Sequence, residues 1–205
     1  MGFYENHILP RFINIACGLK AVQMQRAKVV PRAEGRILEI DFGSGLNMPF
    51  YTPEKVDLLL GLEPSEKARK MAQSKIDASG MPFEFVGLDG QEIPLENDSV
   101  DTVVLTYTLC TIPDAIKAAG EMHRVLKPGG KLLFSEHGAS PDDGVRKWQD
   151  RINPAWKKIA GGCHLNRDIP DLLAKGGFHV RQLDSYYIPG PKVAAWTFEG
   201  WASKD

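Results

Sequence analysis

Residues 36–45 constrain what this 205-residue chain can fold into more than any other stretch. Ile37, Leu38 and Ile40 make an apolar run that reads as a buried strand, and the run breaks at once into a turn containing Gly43 and Gly45. A buried strand that ends in a glycine turn is how an open α/β sheet offers backbone N–H groups to a ligand at its carboxyl edge. Glycine suits the turn because a side chain would hold the backbone away from the ligand or forbid positive φ.

Strands and helices alternate from residue 36 onward. Strands are expected over 36–41, 57–62, 83–87, 100–107, 131–136, 178–187 and 192–202. Between them, 64–79 reads as a helix opening with Pro64 and Ser65, residue types suited to a first turn. A second helix is expected over 114–127, with Ala115, Ala119, Met122 and Leu126 on one face, Asp114 as its cap and Pro128-Gly129-Gly130 as its stop. This alternation predicts an α/β domain with a seven-stranded, doubly wound, mostly parallel sheet and helices on both faces. The length fits a single domain over 1–205.

Two segments stand apart from the alternation. Over 1–30, Phe3, Ile8, Leu9, Phe12, Ile13 and Ile15 lie near helical spacing, with Pro10 interrupting. They predict an amphipathic cap packed on the domain, with a lid or a lipid-touching surface as the functional alternative. Arg26, Lys28 and Arg32 give the lipid version slight support. After the fifth strand, an insert over 141–170 sets Trp148, Ile152, Trp156 and Ile159 on one helical face. That face reads first as core and second as a substrate wall.

Charge and cysteine usage exclude several classes. With 25 basic and 26 acidic residues the net charge is −1, which gives no electrostatic case for nucleic acid. Cys17, Cys110 and Cys163 lack CxxC spacing, so reduced thiols and a cytoplasmic location are expected. No apolar run approaches the ~20 residues of a membrane span, and the amino terminus lacks the order of a signal peptide. The five histidines are scattered without HxxxH spacing, and no metal site is expected.

The acid and glycines of 39–45 resemble the first motif of the class I S-adenosylmethionine-dependent methyltransferases. Glu39 stands for the acid and Gly43 and Gly45 for the second and third glycines, while Asp41 replaces the first. The resemblance implies a Rossmann-like methyltransferase sheet with S-adenosylmethionine bound at the carboxyl ends of strands one to four. It assigns Glu63, followed by Pro64, to the ribose hydroxyls and Asp89, followed by Gly90, to the adenine. Thr106 and Tyr107 then end the fourth strand beside the methyl position, and Val125-Leu126-Lys127-Pro128-Gly129-Gly130 is a phrase common after that strand in these enzymes. A dinucleotide fingerprint fails, because Met48 fills the third glycine slot. Asp41 predicts weakened but surviving cofactor binding, since Asp tolerates left-handed φ and its carboxylate can pair with the cofactor's ammonium. Asp41→Gly is then expected to tighten binding.

Past residue 105 the chain is similar to a narrower subgroup. The carrying runs are 108–113, Ser135-Glu136-His137, Asn153-Pro154-Ala155-Trp156 and 161–167. That subgroup includes membrane-associated thiol S-methyltransferases of animals, with ubiquinone and menaquinone methyltransferases as broader relatives. The similarity implies a small-molecule lipophilic acceptor, a thiol first and a quinone or phospholipid head group second, with peripheral membrane contact. Candidate bases or positive groups are His137 beside Glu136, and His164 with Arg167. Cys110 and Cys163 read as buried residues, because direct transfer needs no covalent intermediate. The other functional class consistent with Asp41 is a degenerate fold that binds a small molecule or partner without catalysis.

Overall fold

The computed structural model of the chain describes residues 9–87 and 89–204, with side chains from Ile13 onward. Phe3 and Ile8 of the expected cap lie outside the described residues. A seven-stranded sheet runs in the order β3-β2-β1-β4-β5-β7-β6. Its strands are β1 (Gly35–Ile40), β2 (Val56–Leu62), β3 (Phe83–Gly87), β4 (Val100–Thr106), β5 (Leu126–His137), β6 (His179–Tyr187) and β7 (Trp196–Ser203). Strands β1 to β5 pair in parallel, and β7 is antiparallel to both β5 and β6. The order reverses between β1 and β4, and such a switch point opens a crevice beyond the strand ends.

Seven helices accompany the sheet among the described residues: α1 (Leu9–Cys17), α2 (Lys20–Val29), α3 (Glu66–Ser79), α4 (Ala115–Val125), α5 (Asp143–Ile159), α6 (Ile169–Lys175) and α7 (Lys192–Ala195). Core residues fall on both sheet faces. Leu38, Ile40 and Leu105 pack with Ala118, Met122 and Val125 of α4 and Leu173 of α6. Ile37 and Leu59 pack with Val29 of α2 and with Ala72 and Ile76 of α3. Burial on both faces explains why the β1 sequence is apolar without alternation.

Local chemistry sets the helix ends. Ser65 Oγ accepts from Ala68 N at the start of α3, and Asp114 caps α4 by accepting from Lys117 N at 2.9 Å. Pro128-Gly129-Gly130 is not the stop of the helix expected over 114–127: α4 already ends at Val125, and β5 opens at Leu126 rather than 131. Val100 pairs with Leu126 and Thr102 with Lys131, so residues 127–130 bulge out opposite Asp101 and the strand resumes.

Three expectations are corrected. The last strand begins at Trp196 rather than 192, because Lys192–Ala195 closes a helical turn first. Pro10 does not break the helical course of the cap, because it lies within α1. The apolar face of α5 is divided rather than core throughout: Trp148 is 57% exposed and Ile159 56%, Ile152 and Trp156 are half-buried with Trp156 against Cys110, Ala160 and Cys163, and Gln149 is the residue that α5 buries. Gln149 accepts from Ser140 N and donates to the carbonyls of Gly138, Leu165 and Val193 at 2.9–3.0 Å. No helix among the described residues is long and apolar enough to cross a membrane.

Candidate active site

The carboxyl ends of β1, β2, β4 and β5 open beneath α1 into three adjoining cavities. Ile13 of α1 lines all three; Asp41 lines the first two, and Cys17 and Tyr107 line the first and third.

The first cavity, of about 250 Å³, holds Glu39, Asp41, Gly43, Glu63 and Thr106, all expected at the cofactor, together with Arg26. Asp41 takes φ 56° and Gly43 φ 60°, so the turn keeps its left-handed course despite the aspartate. A Cβ on Gly43 would meet nothing closer than Asp41 O at 3.7 Å, which leaves the backbone accessible from the cleft. Gly45 does not line the cleft; a Cβ there would press on Met48 at 3.2 Å, so this glycine serves the packing of the turn. Glu63 at the end of β2 accepts from Gly43 N and Ser65 N, both at 2.7 Å, and ties the turn to α3.

Glu39 is bound from behind the cleft. Tyr51 Oη donates to its Oε2 at 2.5 Å and Asn47 Nδ2 to its Oε1 at 2.9 Å. Asn47 Oδ1 and Thr106 Oγ1 in turn accept from Arg26 Nη1, each at 2.7 Å. In the sequence Arg26 stands out only as slight support for a lipid-touching surface. Its role depends on the placement of α2 against β4, which no local motif announces. Arg26 is buried, its Nε has no partner, and it contributes the one cationic side chain among the cleft's described lining residues.

The acids here repel one another. Burial, then the charges of Glu63 and Glu136, push Asp41 up to about 7. Burial likewise takes Glu39 to about 7 against the hydrogen bonds of Tyr51 and Asn47 and the charge of Arg26, and it raises Glu63. A ligand carrying both cationic groups and a carboxylate suits this lining, which offers Asp41 to the first and Arg26 to the second. S-adenosylmethionine is such a zwitterion with an added sulfonium.

The second cavity, of about 300 Å³, is bounded by Ile40, Leu62, Pro64, Asp89, Gly90 and Ile112. It is a slot between largely apolar walls, with the carboxylates of Asp41 and Asp89 in its lining. Asp89 is exposed there and is held below the usual carboxylate range by the Gln91 backbone N–H and side chain.

The third cavity, of about 290 Å³, is an apolar chamber walled by Leu19, Val22, Trp156, Ile188 and Ala195, among others. His137, Cys110 and Cys163 line it too. His137 Nε2 lies 3.3 Å from Cys163 Sγ, and its Nδ1 is buried without a partner. Hydrogen bonding from Cys110, helped by His137, holds the Cys163 thiol down at about 4 against the cost of burial. Between chamber and cleft stands Tyr107, at φ 56°, a strained conformation for a bulky residue. Glu136, wholly buried, stabilises that turn by accepting from Thr108 N at 2.6 Å.

His164 and Arg167, grouped with His137 by sequence, line none of these cavities. Arg167 donates to the carbonyls of Leu109, Ile112 at 2.7 Å and Pro113 at 3.3 Å, and so clamps the loop after β4. His164 donates its backbone N–H to Cys110 O, and burial with the nearby Arg167 and Lys157 lowers its imidazole. The insert does reach the chamber, through Trp156, Ala160 and Cys163.

Known proteins share this fold. Residues 38–134 match the methyltransferase domain family. The thiol S-methyltransferase TMT1B of Rattus norvegicus is 35% identical over 156 residues, covering 74% of this chain and 63% of that protein. The chain therefore spans just under two thirds of that relative's length. The demethylmenaquinone methyltransferase of Thermus thermophilus is 25% identical over 85% of this chain and 88% of its own. Among solved structures, a possible histamine N-methyltransferase from Thermotoga maritima superposes with a TM-score of 0.66 at 22% identity, over 98% of this chain and 99% of that one. With its motif strand, cleft acids and seven-stranded sheet in this arrangement, the chain belongs to the class I methyltransferases, whose methyl donor is S-adenosylmethionine.

Proposed function

We propose that the chain transfers the methyl group of S-adenosylmethionine to the sulfur of a small lipophilic thiol. The observation that carries this reading is the character of the third cavity. Its described lining is apolar apart from Thr111, Tyr107, His137 and three cysteines, with no lysine, arginine or carboxylate. A phospholipid head group would be stripped of water there without a countercharge. A thiol is small and apolar when neutral, and reacts as the thiolate. His137 is the one imidazole in the chamber and stabilises that thiolate. The thiol S-methyltransferase relative supports the same acceptor class.

When bound, the cofactor supplies a methyl group on a sulfonium. The chain's own residues do the rest. Glu63 and Asp89 face the sugar and base ends of the cleft, and Asp41 and Arg26 its charged end. Tyr107, shared by cleft and chamber, sets the line along which acceptor and methyl meet, and alignment of that kind is a large part of catalysis. Ile13 and Cys17 of α1 roof both compartments and exclude water, which favours reaction of a cationic donor with an anionic acceptor.

The test is methyl transfer from labelled S-adenosylmethionine to short alkane thiols, a quinol and phosphatidylethanolamine in parallel. Labelled thioether, with no lipid or quinol product, is expected. Transfer to the quinol or lipid alone would overturn the acceptor assignment.

A further inference from the structure

Three soft ligand atoms meet in the acceptor chamber, although the sequence gives no hint of it. Cys110 sits in the loop after β4, His137 ends β5 and Cys163 follows α5. The Sγ atoms and the histidine ring nitrogen all lie within 4.8 Å of one another, and all three residues are buried. We infer that Cys110, His137 and Cys163 form a three-ligand site for Zn²⁺ or a similar soft divalent ion, with its fourth position open to the acceptor chamber.

Geometry and donor chemistry both support this. A tetrahedral ion at about 2.3 Å from sulfur and about 2.0 Å from nitrogen keeps its ligands roughly 3.5–3.8 Å apart. The 3.3 Å between His137 Nε2 and Cys163 Sγ, and the 4.8 Å limit on the rest, need only side-chain adjustment to reach that. Two thiolates and an imidazole select zinc among the common divalent ions. Three protein ligands rather than four are the pattern of a site that binds something else. The chamber that all three line is where the fourth ligand would enter.

The fourth position is assigned to the acceptor sulfur, and this part rests on the thiol reading given above. On binding, the acceptor S–H loses its proton to solvent and its thiolate takes the open position. As the new sulfur–methyl bond forms, the donor sulfonium–methyl bond breaks, and its electron pair stays on the donor sulfur. The product thioether is a neutral, weak ligand, which water displaces. His137 is then an ion ligand, and the ion takes over its role of holding the acceptor as thiolate.

The experiment is titration of the chelator-stripped, reduced chain with Co²⁺, followed by absorption and by metal analysis after dialysis. One equivalent is expected, with thiolate-to-cobalt charge transfer and the intense visible bands of a tetrahedral ion. Cys110→Ser and Cys163→Ser should each weaken binding at least tenfold while still binding S-adenosylhomocysteine, which shows that they fold. No uptake by the wild type, or equal uptake by the double serine variant, would overturn the site. Adding a small alkane thiol should shift the visible bands; bound cobalt indifferent to thiol would overturn the open-position assignment. Full-rate thiol methylation by metal-free chain would overturn that assignment too, yet leave the thiol reading standing. Thiols that shift the bands but are never methylated would sink the thiol reading and keep the metal site.

Discussion

Asp41 concentrates the electrostatics of the cofactor cleft in one side chain. Its left-handed φ removes the steric objection to an aspartate in the motif, so what remains is charge. With Asp41 near 7, affinity for the cationic cofactor should rise from pH 6 to pH 8, and Asp41→Asn should flatten that rise; calorimetry at both pH values checks it. The stability of the free protein moves the other way. Asp41 keeps its proton in the native state between about pH 4 and 7, where the unfolded chain has already lost it. Its contribution to stability therefore falls as pH rises through that window. The Tm of Asp41→Asn should overtake that of wild type progressively from pH 5 to pH 8, and a constant gap would contradict the assigned burial. Arg26 is the counterpart. Arg26→Met should weaken S-adenosylmethionine binding by about tenfold or more, the scale of one lost charged hydrogen bond. Glu63, Asp89 and Asp41 were legible because each follows a strand at a spacing that the motif fixes. Arg26, and the meeting of Cys110, His137 and Cys163, were not legible, because they depend on how separate elements come together.

At the scale of elements, the β-strand and central helix pattern could be read from apolar runs and caps, and the exceptions have local causes. The Pro-Gly-Gly segment reads as a helix stop because its residues are turn formers, yet the helix has already ended at Val125 and the segment is a bulge within β5. Helix α5 looks like a core helix because Trp148 and Ile159 are large and apolar, but a polar residue anchors it. Gln149→Ala would leave one backbone N–H and three carbonyls without their partner. A cost of about 3 kcal/mol is expected, lowering Tm by roughly 6–12 °C in a thermal melt. A change under 1 °C would mean that α5 is held by something else. Helix α1 touches all three cavities through Ile13, and Asn14 accepts from Ser44 Oγ at 2.5 Å. Asn14→Ala should therefore raise the cofactor dissociation constant severalfold with little change in Tm.

For the whole molecule, one sheet edge gathers the chemistry. The switch between β1 and β4 opens the cofactor cleft, the ends of β4 and β5 supply Tyr107, Glu136 and His137, and α1 and the α5 insert close over them. The class I architecture was readable from the order of strands and acids, whereas the acceptor chamber was not, since its walls come from α1, α2, α5 and the turn before α7. The central claim is that this cleft binds S-adenosylmethionine with Asp41 in the motif. Titration calorimetry of S-adenosylmethionine and S-adenosylhomocysteine against the wild-type chain at pH 8 tests it most directly. A one-to-one complex with a dissociation constant on the order of micromolar is the predicted result, and no heat of binding at millimolar ligand would contradict it.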